Sequence, residues 1–373
     1  MQGKVRRASL RPYRRVLVTS DLHGHGHLLK RLLKEAHFSK DDALIVIGDV
    51  VEKGPDSLGT LRCVMELARQ ENVFVLMGNV DRWRLDLLEI DTAENQQEVI
   101  RFSINGARWW GSSIIGEMMT EMGLDIEKDG DRPGLLKDMR LHFQKELDFI
   151  RQLPIVLETE HFIFVHGGLP HERVDELKEI DPYRLLKNDD FLGQGLSFEK
   201  WVTVGHWPVA LYDEKYISHG PHIRPDRHII SVDGGCGVRG DGQLNLLITD
   251  WEARAFTHIS ATDKPEILAL DGQAASADPR NIRWHDSVVE LMEMGDRWAV
   301  VSHHGKKMRV PRTFVYEKDG VFTCPNMTDW ELPVEAGEKM QLLFEYDGIC
   351  YCKKKDICGW YKGRYQKIKE TET

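Results

Sequence analysis

The stretch Val16-Leu17-Val18-Thr19-Ser20-Asp21-Leu22-His23-Gly24 ends an apolar strand on an aspartate, a histidine and a glycine. Two further apolar runs end similarly: Ala43–Ile47 leads into Gly48-Asp49, and Val73–Met77 into Gly78-Asn79. Helix-period stretches, Leu28–Ala36 and Ser57–Arg69, lie between them. Strand, helix, strand, helix, strand predicts parallel sheet with crossover helices. In such open sheets ligands bind at the carboxyl ends of the strands. Downstream, His161–Val165 runs into His166-Gly167-Gly168, and Trp201–Val204 into Gly205-His206. Each residue has an ordinary explanation alone, because an aspartate after a strand caps a helix or closes a turn and a glycine marks a tight bend. A lone histidine is more often satisfied by a hydrogen bond than by a metal. Five strand ends bearing ligand-type side chains together outweigh those explanations. Carboxylate and imidazole donors in this mixture suit manganese, iron or zinc better than magnesium or calcium alone.

Composition sets the frame. At 373 residues the chain exceeds what one hydrophobic core usually supports, so two domains are expected. Hydrophobic residues at 41% and charged residues at 29% exclude wholesale disorder. Sixty Asp+Glu against fifty Lys+Arg leave a net charge of -10, which argues against a general nucleic-acid binder. No apolar run approaches the ~18–20 residues of a membrane-spanning helix. The basic start, Met1–Arg15, lacks the apolar stretch of a secretory signal. The cytoplasm is the expected location, with neither nucleic acid nor membrane as partner. Six irregularly spaced cysteines do not form a disulfide framework. Cys350, Cys352 and Cys358 could offer zinc three thiolates, but their spacing is not that of a structural zinc site. The simpler expectation is that Cys350 and Cys352 point the same way from one strand.

Residues 1–15 carry six basic and no acidic side chains and are expected to be a mobile tail. An α/β domain is expected over 16–260. Within it a polar, helix-rich stretch at 83–153 is broken at Asn105-Gly106 and Asp129-Gly130, and strands return at His228–Val232 and Leu244–Thr249. Residues 261–283, with Thr262-Asp263-Lys264-Pro265 and the small residues of Ala274–Pro279, read as a linker. Over 284–366, short alternating strands at Trp298–Ser302, Arg309–Tyr316, Met340–Tyr346 and Ile349–Lys353 are joined by His304-Gly305, Asp319-Gly320 and Asp347-Gly348. That pattern predicts a small all-β barrel or sandwich. Deleting everything after about residue 262 would test whether this region serves targeting.

The blocks Ser20-Asp21-Leu22-His23-Gly24, Gly48-Asp49-Val50-Val51-Glu52-Lys53-Gly54-Pro55-Asp56-Ser57, Gly78-Asn79-Val80-Asp81, His166-Gly167-Gly168-Leu169 and Gly205-His206 resemble those of the calcineurin-like metallophosphoesterases. The branch holding phosphoprotein phosphatases and bacterial diadenosine tetraphosphate hydrolases is the most similar. Ile230–Cys236 with Gly242-Gln243-Leu244 resembles the closing strand pair, so the likeness covers 16–251 and not the carboxyl-terminal β region. It implies a sandwich of two mixed β-sheets flanked by helices, here followed by a small all-β C-terminal domain. It also implies two divalent metal ions (manganese, iron or zinc). Asp21 and His23 would hold the first, Asp49 would bridge both, and Asn79, His166 and His206 would complete the second. The implied reaction is in-line attack of metal-bound hydroxide on a phosphomonoester.

There are three departures from the family pattern. The histidine of G-N-H-E/D is Val80, the Asp-Arg pair of the second block is Glu52-Lys53, and the arginine that often precedes the asparagine is Met77. A valine transfers no proton, and losing a general acid typically costs ~10²–10⁴ in rate. Lysine gives a point charge where arginine gives a bidentate fork. His25, Asp81 and Arg82, with Glu52 and Lys53, are the candidates for proton handling and phosphate contact, and Arg84 could replace the missing guanidinium. Leaving groups that need no protonation are expected to be favoured: aryl phosphates, phosphotyrosine or anhydrides over phosphoserine. The expected partner is a phosphorylated substrate, a protein among the options. The rivals are a dinucleoside polyphosphate hydrolase and a weakened phosphate-binding scaffold. The C-terminal β domain is a candidate surface for a protein partner.

Overall fold

Short apolar runs become buried strands in the computed structural model, which describes residues 5–368. β1 (Val5–Arg7), β2 (Arg15–Thr19), α1 (Gly26–Glu35), β3 (Asp42–Ile47), α2 (Ser57–Leu67) and β4 (Val73–Leu76) come first. A helical stretch follows: α3 (Asn79–Glu89), α4 (Ala93–Trp110), α5 (Ile114–Glu121), α6 (Ile126–Asp129), α7 (Leu135–His142) and α8 (Gln144–Gln152). Then come β5 (Val156–Glu158), β6 (Phe162–Val165), α9 (Pro182–Leu186), β7 (Trp201–Val204), β8 (Ile217–Ser218), β9 (His222–Arg224), β10 (Ile229–Ser231), β11 (Leu244–Thr249) and β12 (Thr257–Ala261).

The chain divides into two units. The first runs up to Pro208 and resumes over Pro221–Thr262, and the second joins Val209–Gly220 to the chain from Asp263 onward. In the first unit one sheet has the order β12-β11-β2-β3-β4, with β2, β3 and β4 parallel and β11 antiparallel to β2. The other has the order β1-β5-β6-β7-β10-β9, again mixed. Val18, Ile45, Ile47 and Leu76 of one sheet share a core with Leu157, Phe162, Phe164 and Ile230 of the other. This is the expected two-sheet sandwich, and it sends the carboxyl ends of β2, β3 and β4 to one edge.

The amino-terminal expectation is overturned for the described residues. β1 pairs in parallel with β5, Leu10 is fully buried, and Arg7 meets Glu158 at 2.9 Å. The counter-charges of this basic stretch are distant in sequence, so its local composition gives no sign of them. Nor does α4 break at Asn105-Gly106. It runs from a Thr92 side-chain cap to a left-handed Gly111, and Gly106 sits inside it.

In the second unit β8 joins β13 (Glu266–Ala269), β14 (Asn281–Ile282), β15 (Val288–Met294), β16 (Trp298–His303), β17 (Lys306–Pro311) and β18 (Tyr316–Lys318). β19 (Val321–Thr323), β20 (Met327–Thr328), β21 (Lys339–Tyr346), β22 (Ile349–Lys354), β23 (Ile357–Tyr361) and β24 (Tyr365–Lys367) complete it. Its larger sheets have the orders β24-β13-β21-β22-β23-β8 and β17-β16-β15-β19-β18. The three turn signals take positive φ at both residues, 49° and 78° for His304-Gly305, as tight hairpins need. The segment expected as a linker is part of the unit instead: β13 lies between β24 and β21, and Ile267 and Ala269 are buried. Cys350 and Cys352 share one core cluster with Tyr361, whereas Cys358 lies in another with Tyr351 and Trp360. No helix among the described residues is long and apolar enough to cross a membrane.

Candidate metal centre

Strand ends position the donors, and backbone hydrogen bonds lace those ends together. Asp21 N–H donates to Gly48 O at 3.0 Å and His23 N–H to Asp49 O at 2.9 Å. Gly205 N–H donates to His166 O at 3.0 Å, and His206 N–H to Asp21 Oδ2 at 3.0 Å. The β3 and β4 ends meet at two glycines: a Cβ on Gly48 would lie 2.3 Å from Gly78 N, and one on Gly78 2.1 Å from Asp49 N. Asp21, His23, Asp49 and His206 all have left-handed backbones, with φ of 53°, 41°, 51° and 66°. Strain of this kind, of order ~1–3 kcal/mol per residue, gathers at functional sites.

All six expected donors converge. His23 Nε2 lies 3.8 Å from Asp21 Oδ1 and 3.6 Å from Asp49 Oδ2. His166 Nε2 lies 3.4 Å from Asp49 Oδ1 and 3.0 Å from Asn79 Oδ1. His206 Nδ1 reaches the same Asn79 oxygen at 2.8 Å. The two oxygens of Asp49 thus face different donor sets.

Ring orientation tests whether these residues suit cations. His166 Nδ1 lies 2.7 Å from Ile47 O, and His23 Nδ1 lies 3.2 Å from Val51 O. A carbonyl only accepts, so each Nδ1 carries a proton and each Nε2 points inward, offering a lone pair whenever it is deprotonated. There it meets carboxylate or amide oxygen. Lone pairs crowded this way repel unless a positive charge lies among them, so the donor set fits divalent ions. The same clustered negative charge also favours a proton on the His166 ring. Burial works against a charged His166, yet Asp49 and Asp21 outweigh it and lift the ring to about 10. Asp49 is buried too, but His166 holds it far below the ordinary carboxylate range. His23 is pushed down to about 3, by burial first and by the Lys53 ammonium next.

The other expected residues are placed differently. Glu52 and Arg84, both buried, form an ion pair at 2.6 Å, and the guanidinium lies 4.3 Å from the Trp83 ring centroid and 4.5 Å from that of Phe102. Glu52 therefore anchors α3 to the loop after β3, and Arg84 is not presented to a substrate. Lys53 Nζ comes within 3.5 Å of His23 Nε2, beside the donor set. Asp81 is occupied by backbone: Oδ1 accepts from Val50 N–H and Val51 N–H, and Oδ2 from Gly78 N–H. Burial and the neighbouring Asp49 raise it to about 6. His25 Nδ1 donates to His23 O at 2.7 Å, and Arg82 pairs with Asp86 one helical turn on. Val80 is buried at the start of α3. Sequence reasoning missed Asp189, whose Oδ1 lies 2.8 Å from His206 Nε2, because it sits in a loop run that looks like a turn. It also missed buried Asp233, raised by burial and by Asp21.

The calcineurin-like phosphoesterase family matches residues 14–230 of the chain. Serine/threonine-protein phosphatase 1 of Salmonella typhimurium is 30% identical over 105 residues, covering 28% of this chain and 44% of that protein. Serine/threonine-protein phosphatase 2 of the same organism is 28% identical over 185 residues, 48% of this chain and 70% of that one. The symmetrical bis(5'-nucleosyl)-tetraphosphatase of Vibrio cholerae is 29% identical over 153 residues, 41% and 44% respectively. The chain therefore spans less than half the length of two of these relatives. The family match covers more than half of this chain and includes every donor named above: the chain belongs to the calcineurin-like phosphoesterase family.

Proposed function

We propose that the chain hydrolyses phosphoric esters or anhydrides with two divalent ions, one held by Asp21, His23 and Asp49, the other by Asp49, Asn79, His166 and His206. The observation that carries this reading is Asp49, whose Oδ2 faces His23 at 3.6 Å while Oδ1 faces His166 at 3.4 Å. Two close dications repel strongly, and an anionic bridge offsets that repulsion. When bound, such ions supply ionised water near neutral pH and charge against the phosphoryl oxygens. Manganese, iron and zinc all suit these donors.

The chain's own residues narrow the substrate. Lys53, 3.5 Å from His23, holds a phosphoryl oxygen as a point charge. Val80 offers no proton, and Glu52 is tied to Arg84. A phenolate or phosphate leaving group departs without protonation, whereas an alkoxide does not. We therefore assign the site to aryl phosphates, phosphotyrosine or anhydrides ahead of phosphoserine. The same argument favours, as a second reading, dinucleoside polyphosphates, whose leaving group is a phosphate chain.

Elemental analysis of the purified chain with a small phosphatase panel tests both. Two ions per chain are expected, with faster release from p-nitrophenyl phosphate than from a phosphoserine peptide. Asp49→Asn should lose both metal and turnover. Equal kcat/KM on the two substrates would remove the leaving-group argument, and product analysis on diadenosine tetraphosphate decides the second reading. Phosphate binding without release from any substrate would make the chain a scaffold.

A further inference from the structure

Asp189 lies outside the six donors, yet it touches one of them. Its Oδ1 is 2.8 Å from His206 Nε2, while His206 Nδ1, on the other side of the ring, is 2.8 Å from Asn79 Oδ1. A carboxylate accepts and does not donate, so this contact puts the ring proton on Nε2 and leaves the Nδ1 lone pair facing Asn79. His166 and His23 reach the same state by donating to backbone carbonyls. For His206 the acceptor is a side chain, and an anionic one. A carboxylate behind a ligating imidazole fixes ring orientation and strengthens the ring as a donor.

The loop that carries Asp189 is braced on both sides. Gly167, next to His166, donates its N–H to Leu185 O at 2.8 Å. A Cβ on Gly167 would lie 2.7 Å from the Leu186 carbonyl carbon and 2.9 Å from Asn188 N, so only glycine permits this close approach. Gln194 Nε2 donates to Asn188 Oδ1 at 2.6 Å and to Asp189 O at 3.0 Å. Lys187 Nζ stands 3.3 Å from Asp189 Oδ1. The strand end bearing His166 thus supports the loop that steadies His206.

We propose that Asp189 is a positioning residue for the second ion: it sets the His206 tautomer and aims Nδ1 at the site shared with Asn79 and His166. This assignment rests on the two-ion reading above. Manganese titration of the metal-free full chain, counting bound ions by the loss of the free-ion resonance signal, tests it. Asp189→Ala should weaken the second manganese ~10–100-fold and leave the first unchanged. Asp189→Asn, which keeps an acceptor oxygen without the charge, should fall between that variant and the native chain. It also serves if the alanine variant fails to fold. Lys187→Ala, on the same loop, should leave both affinities within a factor of about two, as expected for an exposed ion pair. A native chain that binds two ions alongside Asp189→Ala and Asp189→Asn variants that bind both as tightly overturns the Asp189 assignment alone. A native chain that binds fewer than two ions overturns the two-ion reading and this inference with it.

Discussion

Glu52 keeps its carboxylate one methylene further out than the family aspartate, and that extra reach is taken up by Arg84. The pair is buried, so removing one partner leaves an uncompensated charge. Arg84→Met should destabilise the fold by about 3–5 kcal/mol, and adding Glu52→Gln should recover much of it. Urea unfolding of the two variants checks this, and equal losses in the single and double variants would refute the pairing. Val80→His alone should raise phosphoserine turnover by less than about tenfold, well short of what a functioning general acid supplies, because position 80 is buried at the start of α3. Cys324, in the second unit, gives a pH-dependent test, since burial pushes its thiol up to about 12. Its folded pKa lies above the ordinary thiol value of about 9, so the stability it contributes is full below that and is lost as pH rises toward 12. Native Cys324 should resist alkylation at pH 8.5 and react once the chain is unfolded. The six residues proposed as ligands could be picked from the sequence because each follows an apolar run. Asp189 and the burial of Arg84 were hidden, since a loop carboxylate and a helix arginine both look solvated until their partners from other elements are placed beside them.

Elements carry the donors only because their ends meet. The contact of Gly48 with Gly78 has no space for a side chain, so Gly48→Ala should prevent metal binding even if the chain folds. Gly106 is the opposite case. It lies within α4 at ordinary helical angles, and an added Cβ would meet the Trp110 ring at 3.5 Å, normal van der Waals contact. Gly106→Ala should therefore stabilise the chain by ~0.5–1 kcal/mol, seen as a higher Tm. Asn105-Gly106 resembled a break because those residues often make turns, but here the helix limits are set by the Thr92 cap and left-handed Gly111. The hairpin signals of the second unit were legible for the converse reason: residue pairs such as Asp347-Gly348 favour the left-handed angles they adopt.

At the scale of the whole molecule, sequence order and unit membership diverge. Val209–Gly220 follows His206 closely, yet it belongs with the chain from Asp263 onward. β8 pairs with β23, and Asn281 Nδ2 donates to Ala210 O and Asp213 O at 2.8 Å each. A chain ended after Thr262 would keep this segment without its partners, leaving Ala210 and Ile217, which share the second unit's core, uncovered. It should aggregate on gel filtration, whereas replacing 209–220 with a short Gly-Ser connector in the same truncation should restore a soluble species. The sequence placed this boundary late because 261–283 is rich in small and polar residues, and β13 holds only a few apolar side chains. The detour also matters during synthesis. Ile217 emerges from the ribosome long before its partner Cys358 exists. At ~5–20 residues per second that delay is on the order of ten seconds, so the nascent chain carries a bare sheet edge until translation is nearly complete.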